Sequence, residues 1–314
     1  MRESRVLTTN RGSRPEAFGP VEWSLLTAIG VTWGSSFIFM AESLETFRPG
    51  VVTLLRLALG TATVALFPRA RRAIDAADWP RIAVLGVVWM AIPLLLFPLA
   101  QVTISSSLAG MINGGMPLFA AVFASLMLWR APGPRQVVGL LVGFAGVIAL
   151  TWSGGVRGGI GVVWALVATA LYGLAANLTV PLQQRYGSLP VILRAQAVAM
   201  IVVLPFGVLA IGGSAFAWDS LLATVPPGVL GTGLAFVAMA TLVGRAGATR
   251  GAVAIYFIPV VATVLGVTVR DETVGPEGLA GLILVIGGAY LTSRREVPTT
   301  PSSERGAERA PTAV

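Results

Sequence analysis

Ten apolar stretches separated by short polar or Pro/Gly-rich breaks dominate the chain. Each approaches the roughly 20 predominantly apolar residues that a helix needs to cross a bilayer. The pattern predicts helices over 24–41, 50–68, 82–100, 106–128 and 136–152, then over 159–180, 189–211, 223–243, 251–269 and 277–293. Breaks fall at Arg48-Pro49-Gly50, from Arg69 to Pro80, at Ala131-Pro132-Gly133-Pro134, from Ser153 to Gly159 and at Pro226-Pro227, where proline, glycine or charge ends the apolar run. No connection is long enough for a soluble domain. Segments 1–22 and 294–314, polar and arginine-bearing, read as disordered cytoplasmic tails.

The two halves repeat one another. A shift of 142 residues aligns Ser107–Gly146 with Thr249–Gly288, pairing Pro117 with Pro259, Gly133-Pro134 with Gly275-Pro276, Gly139 with Gly281 and Gly146 with Gly288. A shift of 139 pairs Trp33-Gly34 with Tyr172-Gly173. Five spans is an odd number, so the second copy enters the membrane from the opposite side. The expected architecture is an all-α integral membrane fold of ten transmembrane helices, built as inverted-topology five-helix repeats over 23–153 and 159–293.

Composition agrees: 55% hydrophobic and 11% charged residues with mean hydropathy +0.81 suit lipid as the main solvent. The formal charge of +8 does not indicate nucleic acid, because the arginines lie mainly between apolar stretches and report topology. Seventeen fall in the tails and the even-numbered connections, three on the opposite side, and Arg56 and Arg194 lie within predicted helices. Both termini are therefore expected in the cytoplasm of a bacterial cell, with the chain multi-pass in its inner membrane. The start of the chain lacks the pattern of a cleaved signal peptide, so the first helix is expected to be retained. Without Cys, His or Lys there is no thiolate, imidazole or Schiff-base chemistry and no His-ligated metal. No enzyme activity, metal or cofactor is expected.

Several elements together carry a family resemblance: Trp33-Gly34-Ser35-Ser36-Phe37, Arg56, Met116-Pro117-Leu118-Phe119, Tyr256-Phe257-Ile258-Pro259-Val260, and Asp271-Glu272 followed by the Gly281–Gly288 helix. The chain resembles the EamA-like transporters of the drug/metabolite transporter superfamily from about Ser24 to Ser293. That resemblance implies a bundle with a central cavity lined by helices 1, 3, 4, 6, 8 and 9. Helices 5 and 10 would be peripheral or at an oligomer contact, leaving a homodimer open. It implies alternating access about a midplane site and a small-molecule substrate, with a lean towards export of an amino acid or related metabolite. One departure stands out. The family usually has Gly-Glu after the fourth helix, where this chain has Trp129-Arg130; Glu272 keeps the acid in the second copy. A flippase for a lipid-linked substrate, or a non-transporting membrane partner protein, is the alternative reading.

Ionisable groups within the membrane are rare and usually functional. All fourteen acids lie in tails, loops or span ends, so no mid-membrane carboxylate is available to neutralise a bare cation. Arg56 and Arg194 occupy equivalent positions about six residues inside helices 2 and 7. Each either ties down its helix end or lends the pathway a positive field favouring anionic or zwitterionic solutes. Glu42, at an expected cavity mouth, is the candidate proton carrier. Trp33, Ser35, Ser36, Trp89, Asn113, Tyr172, Asn177 and Tyr256 are the candidate substrate-binding residues, each equally able to serve helix packing. Asn113 gains weight from Gly114-Gly115 and Pro117 beside it, which weaken the helical hydrogen-bond ladder, and Tyr256 with Pro259 occupies the matching part of helix 9.

Overall fold

A computed structural model of the protein describes residues 19–129, 133–153, 159–246 and 252–293. Most of the predicted tails, and the positions Arg130, Arg157, Arg245 and Arg250, lie outside the described residues or outside those whose side chains are described. All ten predicted stretches are helical. In chain order the α-helices are α1 (Pro20–Ser43), α2 (Pro49–Ala65), α3 (Trp79–Leu85), α4 (Ile92–Gln101), α5 (Ser106–Asn113), α6 (Met116–Leu128), α7 (Pro134–Ser153), α8 (Gly159–Tyr186), α9 (Ser188–Ile211), α10 (Trp218–Val225), α11 (Ala235–Ala246), α12 (Phe257–Arg270) and α13 (Pro276–Ser293). Among the described residues, six helical stretches are long and apolar enough to cross a membrane: Pro20–Ser43, Ala76–Gln101, Ser106–Met127, Gly159–Tyr186, Ser188–Ile211 and Trp218–Met239. Four shorter apolar helices, Pro49–Ala65, Pro134–Leu150, Ala254–Arg270 and Pro276–Leu291, accompany them.

Two stretches expected to be regular are interrupted by wide, π-helical turns, and proline explains why. Between α3 and α4 lies π1 (Gly86–Ala91), where the Ile92 N–H reaches back five residues to Val87 O. Pro93 follows at once; it has no N–H, and its ring crowds the carbonyl four residues earlier, so the widened turn relieves the clash. Pro98, within α4, likewise frees the carbonyl of Leu94, which accepts the Thr53 hydroxyl at 3.0 Å. Between α10 and α11 lies π2 (Pro226–Leu234), opened by two prolines and loosened by Gly228, Gly231 and Gly233. A third break separates α5 from α6 at Gly114-Gly115, ahead of Pro117.

Packing follows the small residues. α7 lies along α13, where a Cβ on Gly146 would come within 2.6 Å of the Val285 nitrogen and one on Gly288 would overlap the Gly143 backbone. α2 packs on α9 and π2, α4 and α6 on α8, and α1 on α12, π2 and α11. One large apolar cluster, including Phe37, Phe97, Leu108, Met111, Ile112 and Ile258, occupies the centre.

The two ends of the bundle differ. At the end where α1 and α12 finish, Arg270 pairs with Glu42 at 2.8 Å and Glu45 at 2.6 Å. There the Glu272 carboxylate accepts the backbone N–H groups and hydroxyls of Ser106 and Ser107, at 2.8 and 2.7 Å and at 2.8 and 2.5 Å respectively. These are the first residues of α5, so Glu272 satisfies donors that a helix start leaves open. Burial opposes the charge on Glu272, but the four hydrogen bonds outweigh it and hold the carboxyl below its ordinary range. Gly266 is bare where Ser107 and Glu272 press against it, and Gly114 admits Pro259, so α5 and α12 lie close together. Past Gly114 the two lines part: α6 packs on α8, while 252–256 and the start of α12 pack on α1. At the opposite end Asp78 accepts Arg185 at 2.7 Å and the Tyr186 hydroxyl at 2.6 Å, pinning the segment before α3 to the end of α8.

Candidate functional site at the second wide turn

A wide turn leaves carbonyls without their usual helical donor, and in π2 those carbonyls organise the site. The Ala235 N–H goes to Leu230 O, which deprives Gly231 O of its normal partner. Instead the Trp33 indole N–H donates to Gly231 O at 2.8 Å, and the Gln196 amide donates to Thr232 O at 2.6 Å. The Thr232 hydroxyl donates to Pro227 O at 2.9 Å and accepts the Arg56 Nε–H at 2.8 Å. Arg56 Nη1 approaches Met40 Sδ at 3.1 Å. Side chains from α1, α2 and α9 therefore converge on one turn of the α10–π2–α11 line.

Gly231 has no side chain where space matters: a Cβ there would stand 2.7 Å from Ser36 Oγ and 3.7 Å from Arg56 Nη2. Arg56 is only 7% exposed, yet among the described residues no carboxylate pairs with it, and the ion pairs found there sit at the bundle's ends. A buried charge without a counter-ion is costly. Beside it, Gln196 is fully buried, and among the described residues neither its Oε1 nor the buried Oδ1 of Asn113 finds a donor.

Aromatic rings frame this region. Phe236 meets Trp33 edge-on at 5.4 Å and Trp89 at 5.1 Å. Tyr172 stacks on Phe97 at 5.9 Å, and Phe97 meets Phe37 edge-on at 5.3 Å.

Of the residues expected from sequence, Trp33, Ser36 and Arg56 come together at π2, Trp89 joins through Phe236, and Tyr172 stacks on Phe97. The others do different work. Ser35 donates to the Thr32 carbonyl one turn back. Asn177 donates to Ala120 O and Gly173 O, both at 3.0 Å, fastening α8 to α6. The Tyr256 hydroxyl donates to Ala289 O at 2.8 Å and so faces α13. Arg194 donates to the carbonyls of Ala70 and Arg71, which is the helix-tethering role. Glu42 is half-exposed and ion-paired. Sequence reasoning missed Gln196, Gly231 and Thr232. The signal was Pro226-Pro227 followed by three glycines, read only as a break.

The EamA-like transporter family model matches the chain twice, over residues 22–152 and 159–294. The chain belongs to the EamA-like transporter family. It is a multi-pass membrane protein of a transporter family, and its similarity to other members runs nearly end to end. An uncharacterized transporter of Archaeoglobus fulgidus is 22% identical over 277 residues, covering 87% of this chain and 99% of the relative. The uncharacterized transporter YdfC of Bacillus subtilis is 24% identical over 271 residues, covering 83% and 87%. A protein of known crystal structure shares the EamA-type fold of this chain, with a TM-score of 0.62 at 17% identity and coverage of 87% of this chain and 95% of that one.

Proposed function

We propose that the protein is a secondary transporter that exports a small organic solute, such as an amino acid or related metabolite, across the inner membrane by alternating access. The observation that carries this reading is the pair of wide turns. π1 and π2 interrupt the third and eighth apolar stretches at corresponding places, and interrupted helices at matching points of two halves are where inverted-repeat transporters hold their solutes. The double family match supports ten spans arranged as two inverted five-helix repeats, 23–153 and 159–293. With both termini cytoplasmic, the Arg270 end is external. Arg270 and Glu272 fasten that end, which supports a state closed on the outside.

The test is movement of labelled amino acids, organic anions and organic cations in proteoliposomes, with and without a pH gradient. Saturable movement of one class is the expected result, and no movement in folded protein would refute the reading. Trp33→Ala removes the donor to Gly231 O and a ring of the aromatic frame. That variant and Asn113→Ala should each cut transport at least tenfold while membrane insertion is unchanged. Full activity in both would remove these residues from the site.

A further inference from the structure

We infer that the strap between α2 and α3, residues 66–78, holds the phosphate headgroup of an anionic phospholipid, gripped by Arg69 and Arg72. The site lies apart from π2, and its test does not depend on any transported solute.

Local geometry sets the two arginines side by side. Pro68–Arg71 forms a single turn of 3-10 helix, and the Arg72 N–H closes it on Arg69 O at 3.4 Å. Three residues per turn bring side chains at i and i+3 to one side, so Arg69 and Arg72 leave the strap together. Arg72 keeps a helical φ of −56°, so its Cβ still follows that turn. The backbone beneath them is fastened at several points. Arg194 of α9 donates to Ala70 O at 2.6 Å and Arg71 O at 3.3 Å, and Arg71 Nε donates to Ala65 O at 2.9 Å. Asp78 binds Arg185 and Tyr186 of α8, while Ala70 and Ile74 are buried against the bundle. Arg69 and Arg72 are exposed, and among the described residues neither side chain finds an acceptor. The acids of the strap are already engaged, Asp75 by Arg185 and Asp78 by Arg185 and Arg81. Two guanidinium forks on a fixed backbone therefore await an anion, and phosphate oxygens suit such forks. The neighbours say that this anion belongs to a lipid. Leu66 is 76% exposed and Trp79 43% exposed, at the ends of the two apolar helices that the strap joins. Apolar side chains left open there, a tryptophan among them, mark the boundary between headgroups and hydrocarbon. Acyl chains would cover them; a soluble phosphate would not.

Native mass spectrometry on the delipidated full chain in detergent tests the site. The probes are dioctanoyl phosphatidylglycerol, dioctanoyl phosphatidylcholine and inorganic phosphate. Phosphatidylglycerol should bind about 30-fold tighter than phosphatidylcholine, the scale of two arginines at an anionic lipid. The double variant Arg69→Gln, Arg72→Gln should erase that preference. A second double variant, Arg305→Gln, Arg309→Gln, removes the same charge from the C-terminal segment and should leave the preference within twofold of wild type. Thermal unfolding gives a second readout: phosphatidylglycerol should raise the midpoint of wild type more than phosphatidylcholine does, and the Arg69, Arg72 variant should lose the difference. Equal affinity of wild type for the two lipids would overturn the site. So would equal losses from the two double variants, which would mean diffuse attraction by net charge. Inorganic phosphate that displaces phosphatidylglycerol at equal concentration would overturn the assignment to a lipid.

Discussion

Glu272→Ala should destabilise the protein by roughly 2–3 kcal/mol, as expected for loss of a charged helix cap that leaves buried donors open. Ser106 and Ser107 are almost wholly buried, so water cannot replace the carboxylate there. Thermal unfolding in detergent measures the change, and a shift below about 1 °C would contradict it. The same contact gives a pH signature. Because the folded-state carboxyl titrates below its ordinary value, its contribution is complete at neutral pH. It begins to fade as pH falls through the ordinary glutamate range, about 4.3, and is lost below the folded value. Wild type should therefore lose part of its stability advantage over Glu272→Ala on acidification below that range, and the two curves should converge.

Gly288→Ala should do more damage, although it adds one methyl group. The new carbon would overlap the backbone of Gly143, which cannot rotate aside as a side chain can, so α7 and α13 must separate along their whole contact. We expect severe loss of folded protein on size-exclusion chromatography. Gly287→Ala, one residue away with nothing within 4 Å of its would-be Cβ, should behave as wild type and serves as the control. Equal effects of the two substitutions would show that close approach is not the cause.

Helix positions were legible because a bilayer demands long apolar runs, and all ten predicted stretches are helical. The break at Gly114-Gly115 was legible too, since glycine pairs before proline weaken the ladder. Rotation about the helix axis was harder to read. Arg56 and Arg194 look equivalent by distance from their helix starts, yet one enters the interior and the other tethers a loop. Their packing registers explain the difference. Gly86 meets the Ala195 carbonyl and Val198, whereas Gly228 meets the Arg56 carbonyl and Leu59. Arg56 thus corresponds to Ala195, one residue past Arg194, and one residue is about 100° around a helix. Gln196 was missed for the same reason, since a glutamine in an apolar run does not announce which way it points. The Trp129-Arg130 departure is now concrete in part. Trp129 and Asp271 both end their helices in the left-handed region, at φ 51°, but only Asp271 is followed by an acid able to cap a neighbouring helix.

Helix length carries one more consequence. α2 has 17 residues and α8 has 28, which at 1.5 Å per residue come to about 26 and about 42 Å. A hydrocarbon layer of about 30 Å must thin around the first and is overrun by the second, so α8 must lean or carry Arg185 and Tyr186 into the headgroups. Since α2 holds Arg56 and packs on π2, membrane thickness bears directly on the site. Activity in vesicles should decline as acyl chains lengthen, and an activity indifferent to chain length would mean that α2 does not sense the bilayer.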